Sequence, residues 1–175
     1  TLAEDPIARD IPEADFVTMH GLWTWVSPAV QKGVVRLLRD KVRPGGLVYV
    51  SYNSLPGWGP RMGIQRIAYE AGRRLAIRSD RQAEEGMRTL RDLLATGAAY
   101  LKHPISANAV DHFSKLPSAY LAHELMNANW QPCFLTELAD ALSDAKLEWV
   151  ASSNLPEKFP TLTLSPEQIA LQQRF

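Results

Sequence analysis

The residues of this 175-residue sequence that could do chemistry include four histidines, one cysteine and five tryptophans, and their spacing removes several possibilities. His123-Glu124 begins like the zinc-protease helix motif, but Asn127 holds the place of the second histidine, so two imidazoles do not share a helix face. His20, His103, His112 and His123 show no other metal-ligand spacing, so no metal is expected. Cys133 stands among apolar residues with no adjacent base, which reads as a structural thiol and not a nucleophile. The stretch from Gly57 through Gly59 to Gly63 resembles a dinucleotide-binding turn. Its third glycine comes one residue late and Pro60 stiffens it, so nucleotide binding there is a weak reading. Two short clusters remain: His20-Gly21-Leu22-Trp23 and Tyr52-Asn53, with Trp25 and Trp58 close by in sequence.

The elements around these clusters explain why they matter. Residues 15–20 form an apolar, β-branched run that predicts a buried strand. Ser27-Pro28 is a strong helix start, because serine accepts a bond from a free backbone N–H and proline gives up a donor that had no partner. Val30, Val34, Leu37, Leu38 and Val42 then recur at helical spacing, with Lys41 and Arg43 suiting the negative end of the helix dipole. Pro44-Gly45-Gly46 is read as the helix stop and residues 47–52 as a second strand. A crossover helix between two apolar strands implies parallel pairing in a sheet covered on both faces. Ligands in such sheets bind beyond the carboxyl ends of the strands, where His20 and Tyr52-Asn53 would meet at one rim. Gly21 would admit a ligand close to the backbone, and aromatic walls suit a cationic or sulfonium group. Trp25 is expected only to pack the sheet against the helical domain.

Residues 53–60 read as a loop, and the pattern beyond them is mostly helical. Ile64, Ile67, Ala68, Ala71 and Leu75 mark one helix. Asp80 is expected to cap the next, with the stripe Met87, Leu90, Leu94 and Leu101 weakened at Gly97. Shorter helices are expected over 106–115 and 118–127 and around Phe134, Leu138 and Leu142, with a strand at 147–151. Ser165-Pro166 opens a final helix with Gln168 at the capping-box position, still running at Phe175. Because one β-α-β unit cannot bury both faces of a parallel sheet, we expect strands before Thr1 in a longer protein.

Composition is that of an ordinary folded protein, 46% hydrophobic and 22% charged, which excludes disorder and coiled coil. No apolar run is long enough to span a bilayer and no signal peptide opens the chain, so no membrane association is expected. The single cysteine fits a reducing, cytoplasmic compartment. Nineteen basic and nineteen acidic residues cancel, so no nucleic acid partner is expected. Locally the balance breaks: residues 61–91 carry eight arginines against Glu70, Asp80, Glu84 and Glu85, and residues 104–175 carry eight acids and four bases. Such stretches are ordinarily solvated faces; the sharper reading is a docking surface for an acidic or polyanionic partner.

Residues 14–28, with His20-Gly-Leu-Trp-Thr-Trp-Val, and 43–58, with Tyr52-Asn-Ser-Leu-Pro-Gly-Trp58, resemble the later core of class I S-adenosylmethionine-dependent methyltransferases. The resemblance is to a bacterial subfamily with an appended methyltransferase regulatory domain, related to bacterial protein-lysine methyltransferases. Tyr120-Leu-Ala-His-Glu-Leu125, Asn129, Cys133-Phe-Leu135 and Leu155-Pro-Glu-Lys-Phe-Pro160 resemble that appended domain. The resemblance implies an α/β fold: a partial Rossmann-like core over 1–60, followed by a mainly helical regulatory domain over 61–175. It implies that His20, Gly21 and Leu22 lie by the methionine end of S-adenosylmethionine, and that His20, Tyr52 and Asn53 act on the methyl acceptor. Trp23 and Trp58 would bind the acceptor, with protein lysine as the family-based choice. The glycine-rich loop and the ribose-holding acid of such enzymes have no counterpart here, so the chain alone is expected to bind the cofactor weakly or not at all. The alternative is a non-catalytic interaction module over 61–175, with the arginine-bearing helices as its contact face.

Overall fold

The computed structural model describes residues 10–174; Glu4, Asp5, Arg9 and Phe175 lie outside them. Strand β1 (Ala14–His20) pairs in parallel with β2 (Val42–Ser51), and the crossover is helix α1 (Pro28–Lys41). The helix begins as the sequence requires: Ser27 Oγ accepts the Val30 N–H at 3.4 Å and Pro28 takes the first helical position. It stops at Lys41, before Pro44. Contrary to expectation, Pro44-Gly45-Gly46 does not separate helix from strand but lies within β2, where the register slips between Ala14↔Val42 and Phe16↔Leu47. Proline has no N–H to give the ladder, and an irregular pairing is where a strand tolerates it.

The pleat sorts side chains by parity. Val17 and Met19 of β1, with Val48 and Val50 of β2, face a cluster built on Val34, Val35 and Leu38 of α1. Phe16, Thr18 and His20 belong to the opposite face, paired with Leu47, Tyr49 and Ser51. Phe16 and Leu47 are 61% and 57% exposed, so among the described residues only one face of the sheet is covered, where covering on both was expected.

Helix α2 (Gly59–Gly72), α3 (Ser79–Ala95), α4 (Ala99–Lys102), α5 (Pro104–Ser114) and α6 (Ser118–Met126) build a second, all-helical core. Its centre is Ile64, Ala68, Leu90 and Leu125, all fully buried. Each large aliphatic side chain so buried contributes roughly 1.5–3 kcal/mol. Gln65 joins α2 to the end of α6 by donating from Nε2 to the Leu125 carbonyl at 3.0 Å. Two expectations need correction here. Asp80 lies inside the first turn of α3, paired with Arg78, and is not the cap, which is Arg78. The stripe from Met87 to Leu101 is split: α3 ends before Gly97, whose φ of +84° breaks the helix, and Leu101 returns on α4 to reach the same core.

Helix α7 (Leu135–Ser143) goes back to the first core, where Leu138 and Ala145 pack with Met19, Trp23 and Leu38. The strand expected at 147–151 does not form; Trp149 and Val150 are exposed and no neighbouring strand is present to pair with them among the described residues. Two short helices come next, α8 (Pro160–Thr163) and α9 (Pro166–Gln172). The capping box at α9 forms as expected: Gln168 N–H donates to Ser165 Oγ at 3.3 Å, and Ser165 N–H to Gln168 Oε1 at 2.8 Å.

Candidate functional site

The two strands end side by side, His20 opposite Ser51. His20 Nδ1 and Ser51 Oγ are 2.9 Å apart, which orients the imidazole and leaves Nε2 on an exposed ring. The Gly21 N–H donates to both the carbonyl oxygen and Oγ of Ser51, at 3.2 and 2.9 Å. Gly21 turns the chain at φ +59°, a conformation that a side chain disfavours, and no atom beyond its own chain neighbours lies within 4 Å of where its Cβ would be. The backbone is therefore open to close approach at the strand end. Leu22 is exposed beside it, whereas Trp23 is 5% exposed and sits in the α/β core beneath, its carbonyl held by Gln31 Nε2 at 2.8 Å.

Tyr52 continues the covered-face parity of Val48 and Val50 and packs into that core. His20 and Tyr52 thus share one rim but leave the sheet on opposite faces. Asn53 turns inward at the next position: its backbone N–H donates to Thr24 Oγ1 at 3.3 Å and its carbonyl accepts the Cys133 N–H at 3.2 Å. Its side-chain Nδ2 is buried without an acceptor, a situation that folded proteins avoid unless something else supplies one.

Around Asn53 the structure gathers residues far apart in sequence. Trp130 lies between the two rim loops, its ring 6.0 Å from those of Trp25 and of Trp58. The His123 ring is 4.4 Å from Trp25, and the Arg61 guanidinium sits 4.6 Å over Trp58. The Trp130 indole Nε1 is a second buried donor without an acceptor. Trp25 packs the sheet loop against the helical part, as expected, but Trp130 and His123 were not anticipated. A ring more than seventy residues from Trp58 leaves no local pattern; the one available signal is that 127–133 is tryptophan-bearing, polar and unhelical between two helices.

The titratable groups reflect their burial. Cys133 is half-buried, and desolvation, reinforced by Glu137, pushes its thiol up to about 11, which removes it as a nucleophile near neutral pH. Burial also raises the Glu124 carboxyl, opposed by the Tyr120 hydroxyl and by His123, Arg61 and His112. Glu124 in turn raises Tyr120. Every acid of the arginine-rich stretch is paired within it, Arg66 and Arg73 with Glu70, Arg78 with Asp80, Arg81 with Glu84 and Arg88 with Glu85, so the stretch keeps its excess of arginines over acids. Gly63, the third glycine of the weak dinucleotide pattern, faces α4, where a Cβ would collide with the Tyr100 hydroxyl. Among the described residues no group of three His, Cys, Asp or Glu could hold a metal, and no helix is long and apolar enough to cross a membrane.

Residues 117–175 match the family model described as a predicted methyltransferase regulatory domain. The chain is 31% identical over 163 residues to uncharacterized protein sll1526 of Synechocystis, covering 93% of this chain and 32% of that protein. It is 23% identical over 145 residues to uncharacterized protein RP789 of Rickettsia prowazekii, covering 81% of this chain and 26% of that one. It spans about a third or less of the length of these relatives. The fold is shared with PKMT2 from Rickettsia typhi, at a TM-score of 0.71 and 17% identity over 98% of this chain and 32% of that one. PKMT2 in complex with AdoHcy gives a TM-score of 0.73 at 18% identity, covering 99% and 33%. Residues 117–175 are thus similar to a predicted methyltransferase regulatory domain, and the chain as a whole shares its fold with about a third of PKMT2.

Proposed function

We propose that the chain is part of a cytoplasmic S-adenosylmethionine-dependent methyltransferase, joining the end of its catalytic core (1–60) to a helical regulatory domain (61–175). The observation that carries the reading is the rim itself: two parallel strands end together, with an open glycine turn at one and a buried, acceptor-less Asn53 amide beside the other. S-adenosylmethionine would supply an electrophilic methyl group on a sulfonium. The open Cβ position of Gly21 and the fixed His20–Ser51 pair fit a ligand lying against the strand end, with Leu22 flanking it.

In this reading His20, through its exposed Nε2, takes the proton that an amine acceptor must lose before attack. Tyr52, from the covered side of the rim, helps to orient the acceptor. Asn53 Nδ2 donates to it, gaining the partner that it lacks. Trp58 walls the acceptor site and Trp23 supports the rim from beneath. Catalysis would come from positioning and exclusion of water more than from covalent chemistry. The acceptor we favour is a protein lysine, by analogy with the lysine-methylating relatives that the sequence resembles.

Two measurements test this. In the full-length protein, His20→Ala and Tyr52→Phe should each lose most methyl transfer; wild-type rates in both remove them from the site. Calorimetric titration of the present chain with S-adenosylmethionine should give weak binding or none, since the ribose-holding acid is not in this sequence. Micromolar binding would contradict the assignment of the cofactor loop to another part of the protein.

A further inference from the structure

The segment 127–133, which lies within the family-matched regulatory domain, touches both rim loops at once. Asn127 Nδ2 donates to the Trp25 carbonyl at 3.2 Å, and the Gln131 N–H donates to the Thr24 carbonyl at 2.9 Å. On the other loop the Cys133 N–H donates to the Asn53 carbonyl at 3.2 Å, and the Leu55 N–H to the Cys133 carbonyl at 3.0 Å. The two loops are themselves joined where Asn53 N–H reaches Oγ1 of the fully buried Thr24. Trp130 stands between the loops as a wedge, against Trp25 on one and Trp58 on the other. The segment has no helix or strand of its own, so these cross-links and ring contacts are what order it, and by reciprocity they order the loops.

We propose that segment 127–133 is a strap by which the regulatory domain sets the geometry of the acceptor rim, with Asn127 and Trp130 as positioning residues. The strap leaves from the end of α6, which is built into the helical core through Leu121 and Leu125, and enters α7, which is built into the α/β core through Leu138. A displacement of the helical core can therefore reach Asn53 through these hydrogen bonds, besides the direct connection through α2, whose first turn follows Trp58. The catalytic half of this inference rests on the methyl-transfer reading; the mechanical half does not.

The test uses Asn127→Asp and the milder Asn127→Ser in the full-length protein. Both retain an oxygen that can accept the Asn129 N–H, now held by Asn127 Oδ1 at 2.8 Å; ionised Asp has no proton to donate to the Trp25 carbonyl, and the Ser hydroxyl, one bond shorter than the amide, falls short of it. Amide hydrogen exchange of Asn53, Leu55, Gln131 and Cys133 should accelerate about three- to tenfold, while that of Leu90 in α3 stays as in the wild type. The KM for acceptor should rise about fivefold or more with kcat within about twofold, because the loops position and do not react. Unchanged exchange at the four rim amides in both variants would overturn the strap. Faster exchange with KM and kcat both unmoved would overturn its role in positioning. If the wild-type protein transfers no methyl group, the function proposed above fails, and the exchange data alone then decide whether the strap holds.

Discussion

Replacing Gly86 by alanine sets two effects of known size against each other. Gly86 is the point where α3 crosses α2: a Cβ there would lie 2.6 Å from the Ala68 carbonyl oxygen and 2.9 Å from both the Cα and the Cβ of Ala68. In an exposed helix the substitution would stabilise by about 1 kcal/mol, because glycine loses more backbone freedom on folding. Here ordinary van der Waals separation requires the helices to part by roughly half an ångström or more, and the obstructing atoms are mainly backbone, which cannot rotate away. Overpacking of this kind costs about 1–3 kcal/mol, and rigid neighbours place it at the upper end. The clash wins, and the net expectation is a loss of about 1–2 kcal/mol. Thermal unfolding should shift down by about 2–4 °C per kcal/mol for a chain of this length. Urea unfolding followed by circular dichroism gives the free energy directly. A Gly86→Ala protein as stable as the wild type, or more so, would refute the claim that close helix approach decides this position. The crossing supports α6 as well, so the same variant should loosen the origin of the strap.

Other expectations rest on single groups. Ser27→Ala removes the α1 cap and should reduce stability by about 1 kcal/mol in the same unfolding assay. With its thiol pushed up to about 11, Cys133 should react with a disulfide reagent at pH 8 about a hundredfold more slowly than free cysteine; comparable rates would mean that the thiol is not desolvated. Glu124 has a folded pKa raised above its unfolded value, so its contribution is complete below about 4.5 and is lost as pH rises through the raised value. Glu124→Gln should therefore flatten the fall in melting temperature above pH 4.5, and an unchanged pH profile would count against burial as the cause.

The β-α-β unit and most helices are legible from the residues alone, because they depend on local chemistry. Ser27-Pro28 starts a helix wherever it stands, and apolar residues at three- and four-residue spacing make a stripe before any partner is known. The same unit places His20 and Tyr52-Asn53 at one end of a parallel pair, since strand direction is dictated by the crossover. Competing local signals mislead: Pro44-Gly45-Gly46 has the composition of a stop and is an irregularity inside β2, and residues 147–151 have strand composition but, among the described residues, no neighbour to pair with.

Which face each rim residue takes, and what surrounds it, follows from strand register and from how the two cores pack. His20 and Tyr52 part to opposite sides because side chains alternate along a strand and the register sets Ser51, not Tyr52, opposite His20. Trp130 reaches the rim because α7 returns to the sheet and draws 127–133 across both loops, and His123 reaches Trp25 from α6. Contacts between residues seventy to a hundred positions apart are set by how two cores pack, and a one-dimensional pattern holds no record of that distance.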